Sequence, residues 1–324
     1  MTMKNDSLVN HPPEVSLPPD NHPLVAPIYQ SVKFSFGDTG ETLRYLRGQR
    51  EGFFYSRSAN PTLPPLQLLL AQLQGRDDCL LTGSGVATVA ASLLALCKQG
   101  DHILAFVESY GPTRYIVQHL LAKFGVAHTL LSIEDLPGIE RVLRDIPTRL
   151  VVFESPTNPV TKIADIEHLT AHARRAGALT VLDNTFAGFH NHGAYDVDIF
   201  LHSLTKYASG HGDVMGGAII ARGELIAQMR KDGSTMGPPL DPHAAVLFAI
   251  LFDPGDPYGA DLARIAHVRA ATGLQVQALN LDQPHAAGAH RRLHRHGLDQ
   301  PRINLEIGVA DPAAGDGRVG RDHL

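Results

Sequence analysis

Lys206 stands beside two hydroxyls in the run His202-Ser203-Leu204-Thr205-Lys206-Tyr207, directly after an apolar stretch. A lysine whose charged form is disfavoured by desolvation attacks carbonyls and forms Schiff bases. The flanking Ser203 and Thr205 could bind a phosphate. Three other apolar stretches end in residues with chemistry. Thr82-Gly83-Ser84-Gly85-Val86 opens a helix with glycines, where backbone N–H groups and the helix dipole favour an anion. Glu154-Ser155-Pro156-Thr157-Asn158-Pro159 holds the Asn158 amide between two prolines. Asp183-Asn184-Thr185 ends a strand-like run with a carboxylate, which is costly to bury unless a cation faces it. Each has a plainer reading: a tight turn at Gly83–Gly85, an ordinary Asn-Pro turn, a helix cap at Asp183, a surface lysine at 206. Together they match the handles of one cofactor. Pyridoxal 5'-phosphate (PLP) carries an aldehyde, a pyridine nitrogen and a phosphate.

These residues need a frame that brings four segment ends together. Apolar runs at 79–82, 102–107, 127–131, 149–154, 179–183, 197–202 and 217–221 read as strands. Between them, 86–97, 113–124, 134–144 and 165–176 read as helices. Continuous apolar strands are buried on both faces, so the alternation predicts a three-layer α/β domain with a mostly parallel sheet. Sites in such sheets form beyond the carboxyl ends of the strands, and the candidate residues fall there. A further helix follows Asn60-Pro61-Thr62, with Leu66, Leu69, Leu70 and Leu73 on one face and Gly75 at its exit. Past 222 the pattern weakens, with helical stretches near 240–251 and 261–280.

The chain has 324 residues, enough for about two domains. Hydrophobic residues make up 44% and charged residues 19%, which excludes general disorder. The net charge of -5 argues against a nucleic-acid partner. Cys79 to Cys97 is uncharged and nearly long enough to span a membrane. Its early glycines instead predict a strand, a turn and a buried helix, so no membrane partner is expected. Two cysteines build no disulfide framework, and the N-terminus lacks a signal-peptide pattern; both point to the cytoplasm. His290 and His294 have the i, i+4 spacing of metal ligands, but Arg292 and Arg295 lie among them. A solvated basic helix face is the expectation there, with no metal.

The order of these motifs resembles the Cys/Met-metabolism (trans-sulfuration) PLP enzymes, a family of cystathionine synthases and lyases, methionine γ-lyases and homoserine-ester sulfhydrylases. The matching stretches are Tyr55-Ser56-Arg57 with Asn60-Pro61-Thr62, Gly83-Ser84-Gly85-Val86, Tyr110-Gly111, the run 154–159, Asp183-Asn184-Thr185, and the run 203–207. The resemblance implies a fold-type-I (aspartate-aminotransferase-like) large domain with a small, abbreviated C-terminal α+β domain. It implies an N-terminal arm and oligomer-contact segment over 1–55, the PLP domain over 56–225 and the small domain over 226–324, shorter than is usual for the family.

Residue by residue, the resemblance makes Lys206 the Schiff-base lysine and proton carrier, and Asp183 the partner of the pyridine nitrogen. Tyr110 stacks on the ring and serves near the leaving group. Ser203, Thr205, Gly85 and Val86 hold the phosphate, and Thr185 and Asn158 contact the cofactor. Tyr55 and Arg57 reach the phosphate of a neighbouring subunit, which implies a shared-site homodimer within a tetramer. Asn158 and Arg302 bind the substrate carboxylate. Around Arg302 the match is imperfect, since Glu306 and Gly308 depart from the pattern, and a surface arginine on an edge strand is the alternative. The implied activity is β/γ-elimination or γ-replacement on a sulfur-containing or acylated-homoserine amino acid, in cysteine and methionine metabolism and amino-acid biosynthesis. A catalytically impaired, non-enzymatic oligomeric homologue is the alternative. Tyr110-Gly111-Pro112-Thr113-Arg114 resembles some β-lyases, whereas Gly210-His211-Gly212-Asp213 resembles γ-synthases, sulfhydrylases and methionine γ-lyases.

Overall fold

The computed structural model describes residues 27–251 apart from His190, His211 and Pro238, and their side chains apart from Ile250 and Leu251. The expected helix over 261–280, the histidines near 290 and Arg302 lie outside the described residues.

Seven strands form one sheet: β1 (Asp78–Thr82), β2 (His102–Phe106), β3 (Ala127–Leu131), β4 (Leu150–Glu154), β5 (Leu179–Asp183), β6 (Ile199–Ser203) and β7 (Gly217–Ala221). Their order across the sheet is β1-β7-β6-β5-β4-β2-β3. Strand β7 runs antiparallel to both neighbours, and the remaining pairs are parallel. The carboxyl ends of β1, β4, β5 and β6 therefore share one edge. Lys206 follows three residues after β6 at that edge.

Side chains alternate between two cores, as strand geometry requires. Ile103, Ala105, Leu150 and Val152 face one cluster, while Leu104, Phe106, Val151 and Phe153 face the other. Helices α2 (Pro64–Leu73), α5 (Leu136–Asp145), α6 (Ile166–Arg175) and α8 (Pro242–Leu251) supply the second cluster, through residues such as Leu66, Leu70, Ile139, Leu169 and Phe248. Helices α3 (Gly85–Leu96) and α7 (Gly223–Met236) supply the first, with Leu93, Leu225 and Met229. The three-layer α/β reading and the mostly parallel sheet hold. The uncharged stretch from Cys79 to Cys97 resolves into β1, a turn and the 12-residue α3. No helix among the described residues is long and apolar enough to cross a membrane.

Three elements differ from expectation. The stretch 113–124 is not one helix. It starts as the short α4 (Gly111–Tyr115), widens into a π turn over Ile116–Leu120, tightens into a 3-10 turn over Leu121–Phe124 and stops at Gly125, whose φ is 75°. Helix α1 (Thr39–Leu46) buries none of its residues, so it carries no strong apolar stripe to read. It is set instead by the Asp38 cap, which accepts the Glu41 N–H at 2.8 Å. Helix α7 covers residues where the pattern had weakened. It packs through Leu225, Ile226 and Met229, and Arg230 reaches Asp78 at 3.0 Å. The expected domain boundary at 225/226 falls inside this helix.

Phe153 is central to the cluster beneath α5 and α6 and only 1% exposed. Truncation leaves a cavity that packed neighbours fill only in part. Phe153→Ala should destabilise the fold by about 3–5 kcal/mol. Denaturant midpoints at unchanged m-value would show it; a loss below about 1 kcal/mol would contradict this packing.

Candidate active site

One pocket opens at the carboxyl edge of the sheet. Its lining includes Gly85, Val86, Tyr110, Asn158, Asp183, Thr185, Ser203, Thr205 and Lys206, together with Glu154 and Phe186. Every site residue expected from this part of the chain is thus brought together, except Tyr55 and Arg57. Those two sit on a separate segment, where the backbone around Lys33 bridges Tyr55. Arg57 is exposed, rests over the Tyr55 ring at 5.6 Å and lines a different cleft with Asn60, Leu81 and Arg230.

The floor of the pocket is a hydrogen-bonded link between two strand ends. The Thr185 hydroxyl donates to Asp183 Oδ1 at 2.6 Å, and the Thr185 N–H reaches the same oxygen at 3.1 Å. The Thr185 hydroxyl oxygen in turn accepts the Ser203 N–H at 2.8 Å. One side chain therefore fixes the carboxylate after β5 and the loop after β6. Burial pushes the Asp183 carboxyl above its ordinary value, against the pull of both Thr185 hydrogen bonds. A cation placed against it would relieve that cost.

The wall is the N-terminus of α3. Ser84 caps it, its hydroxyl accepting the Ala87 N–H at 3.2 Å. The N–H groups of Gly85 and Val86 belong to the first turn, which has no intrahelical acceptors for them. Glycine at 85 is a steric requirement. A Cβ there would lie 2.5 Å from Ser203 Cβ and 2.7 Å from its hydroxyl. The helix end and the Ser203 loop can therefore converge on one small anion.

Glu154 is the residue that sequence reasoning passed over as a site residue. It is buried, and its Oε2 accepts the backbone N–H of Tyr110 at 2.9 Å and of Asn158 at 3.4 Å. It thereby ties the two loops that present Tyr110 and Asn158. Its place in register beside Asp183 brings two carboxyls together. Burial, and then the Asp183 charge, push its pKa up to about 7, opposed by the two N–H bonds. The available signal was an acid closing a fully apolar strand, the same signal that drew attention to Asp183. Lys206 is exposed in the described structure, not desolvated as its chemistry had suggested. It stands at the pocket's rim, where the strand has ended and no core covers it.

The chain is similar to known proteins. The model of the family described as Cys/Met metabolism PLP-dependent enzyme matches residues 14–250, well over half of the chain. The chain belongs to this family. An L-methionine gamma-lyase of Pseudomonas putida is 35% identical over 69% of the chain and 57% of the relative. A chloroplastic cystathionine gamma-synthase of Nicotiana tabacum is 33% identical over 69% of the chain and 42% of the relative. The chain thus spans about half the length of these curated relatives. Among solved structures, a candidate O-acetylhomoserine (thiol)-lyase of Campylobacter jejuni superposes with a TM-score of 0.63 at 29% identity, over 70% of this chain and 65% of that one. It carries a pyridoxyl-lysine phosphate adduct. A cystathionine gamma synthase of Xanthomonas oryzae, in complex with aminoacrylate and cysteine, gives 0.61 at 30% identity, over 70% of this chain and 57% of that one.

The family's cofactor is PLP, and the pocket fits it on two independent observations. Among the described residues no ion pair reaches the Asp183 carboxylate, whose charge burial disfavours, and a protonated ring nitrogen would supply that cation. The glycine at 85 leaves a small cradle between α3 and Ser203, which a phosphate suits.

Two expectations follow. In Gly85→Ala the new methyl must displace Ser203, at an overpacking cost of about 1–3 kcal/mol. If that cost falls on the cofactor, PLP affinity drops about ten- to a hundredfold in an absorbance titration; unchanged affinity would remove the cradle. Glu154 keeps its proton to about pH 7 in the folded chain, against 4.5 as its ordinary value. Between these values the folded state binds more protons than the unfolded state, so wild-type stability falls as pH rises through the window. Glu154→Gln does not ionise. It should gain on wild type by about 1–3 kcal/mol from pH 4.5 to 7, read from denaturant midpoints of the cofactor-free protein. A flat difference across the window would remove this assignment.

Proposed function

We propose that the protein is a PLP-dependent carbon–sulfur lyase or transferase of cysteine and methionine metabolism. Its reaction is β/γ-elimination or γ-replacement on a sulfur-containing or acylated-homoserine amino acid. The observation that carries this reading is the convergence of Lys206, Asp183 and the Gly85 helix end on one pocket in a chain of this family.

When bound, PLP supplies an aldehyde for covalent capture of an amino group and an electron-withdrawing ring beside the substrate α-carbon. The chain's own residues do the rest. Asp183, oriented by Thr185, holds the proton on the ring nitrogen, since an adjacent carboxylate favours the cationic form. Ser203, Thr205 and the N–H groups of Gly85 and Val86 bind the phosphate. The Lys206 amine would hold the aldehyde end of the cofactor, and its Nζ would accept the substrate α-proton. Tyr110 would serve as acid or base near the leaving group. Asn158, held by Glu154, orients the cofactor hydroxyl and the substrate carboxylate, the latter together with Arg302.

Tyr55 and Arg57 do not line their own chain's pocket, which supports the reading that they serve a neighbouring subunit. On that reading the protein is a shared-site homodimer within a tetramer. A cytoplasmic setting is supported by Cys79 and Cys97, both free thiols. Burial pushes Cys97 up to about 12 and Cys79 higher still, so neither is an active thiolate. No residue of the described site argues for a non-catalytic homologue.

The test is a product screen on the PLP-loaded protein. Pyruvate reports β-elimination and 2-oxobutyrate γ-elimination. An added thiol diverts a replacement enzyme to a new thioether. Lys206→Ala should lose the visible absorbance of the bound cofactor and at least about a thousandfold in turnover. A wild-type protein that stays colourless with added PLP would overturn the proposal.

A further inference from the structure

Helices α5 and α6 lie side by side over the same sheet face, burying Ile139, Val142 and Leu143 from one and Ile166, Leu169 and Ala173 from the other. Beside these core residues, α6 carries His168 and His172, one turn apart, and α5 carries Glu140. The two imidazoles stack with centroids 4.0 Å apart and an interplanar angle of 26°. Their Nε2 atoms converge on one oxygen, Glu140 Oε1, at 3.5 Å from His168 and 3.3 Å from His172.

The protons make this cluster unusual. His172 Nδ1 lies 2.9 Å from the His168 backbone oxygen. A carbonyl only accepts, so Nδ1 carries the hydrogen and a neutral ring points its Nε2 lone pair at the carboxylate. The Nε2 of His168 is buried and makes no hydrogen bond. Lone pairs and a carboxylate facing one another repel, unless a cation or an added proton lies between them. The nearby Arg144 is tied to Asp145 at 2.9 Å.

We propose that Glu140, His168 and His172 form a binding site for a borderline divalent metal of the zinc type. All three ligand atoms lie within 4.8 Å of one another. An ion about 2.0–2.1 Å from each ligand, in tetrahedral geometry, sets neighbouring ligand atoms about 3.3 Å apart. The two histidine-to-glutamate distances match that edge. Two imidazoles, one carboxylate and a water in the fourth position suit Zn²⁺, with Co²⁺, Ni²⁺ and Cu²⁺ as competitors. The Nδ1 hydrogen bond to a backbone carbonyl is the orienting contact that metal-bound histidines typically make. The ion clips two helices at their outer surface. None of the three residues lines the pocket around Lys206, so the site is independent of the proposed reaction. His168 and His172 have the same i, i+4 spacing as His290 and His294, and the packing of α5 on α6 adds Glu140 to them.

The experiment is a Zn²⁺ titration of the full-length, chelator-dialysed protein against a chromophoric competitor, at fixed cofactor load. Glu140→Gln, His168→Ala and His172→Ala run beside wild type, with His243→Ala as a histidine control. We expect one tight equivalent in wild type and in His243→Ala, lost in the other three. Zn²⁺ should raise the melting temperature of wild type and leave the three variants unmoved. Glu140 is about half exposed, so Glu140→Gln keeps the fold and decides the matter if a histidine variant does not. No tight equivalent in wild type, or one that survives Glu140→Gln and His172→Ala, would overturn the site.

Discussion

The Thr185 hydroxyl is the point on which the pocket depends. It donates to the Asp183 carboxylate and accepts from the Ser203 backbone, so two adjacent parallel strands end in one fixed unit. Without it, Asp183 would keep only the Thr185 N–H, and the Ser203 N–H would lose its acceptor. The arrangement sets the two demands of the cofactor, a negative partner and an anion cradle, at a fixed separation. Gly85 completes the unit by letting α3 close on Ser203, and Gly217 does the same for β7, where a Cβ would collide with Thr82 and Thr88.

Behind this unit lies a second, buried polar layer. Gln74 Oε1 is shared by the Asn184 amide at 3.3 Å and by His202 Nε2 at 2.8 Å. Asn184 also bonds the Gly188 and Asn191 carbonyls. His202 stacks on Phe189, and burial drives its pKa down to about 3, so it stays neutral and donates through Nε2. Two of these residues neighbour pocket residues in sequence, with Asn184 after Asp183 and His202 before Ser203. A polar network satisfied in this way resists local rearrangement. The strand ends are held from behind as well as from within.

Much of this was legible in the sequence, for a physical reason. A strand buried on both faces reads as an apolar run, so residues such as Asp183 and Ser203, which break the run at its end, mark the edge of the sheet where the pocket opens. Periodicity failed where burial is weak or the backbone irregular. Helix α1 has no buried face. The stretch 113–124 changes its helical pitch twice without a proline inside it. Glu154 carried the same signal as Asp183, an acid closing an apolar strand, but its role was not legible, because its partners are backbone N–H groups, which leave no trace in residue type. Of the Glu140–His168–His172 cluster, the i, i+4 histidine pair stands in the sequence, but Glu140 joins it only when α5 and α6 pack together.

The division between what is fixed and what is free follows the cofactor's chemistry. A ring nitrogen, an aldehyde and a phosphate demand particular groups in a particular geometry, so their partners sit on strand ends and a helix terminus, where backbone hydrogen bonds position them. Substrate choice makes weaker and more varied demands. On the proposed function those fall on rim residues such as Tyr110, which is 39% exposed and whose backbone N–H is bound by Glu154. Glu154 couples this rim to the floor. Its hydrogen bonds set the Tyr110 and Asn158 loops, and its charge feels Asp183. A change in charge at Asp183 therefore reaches the Tyr110 and Asn158 loops through one side chain.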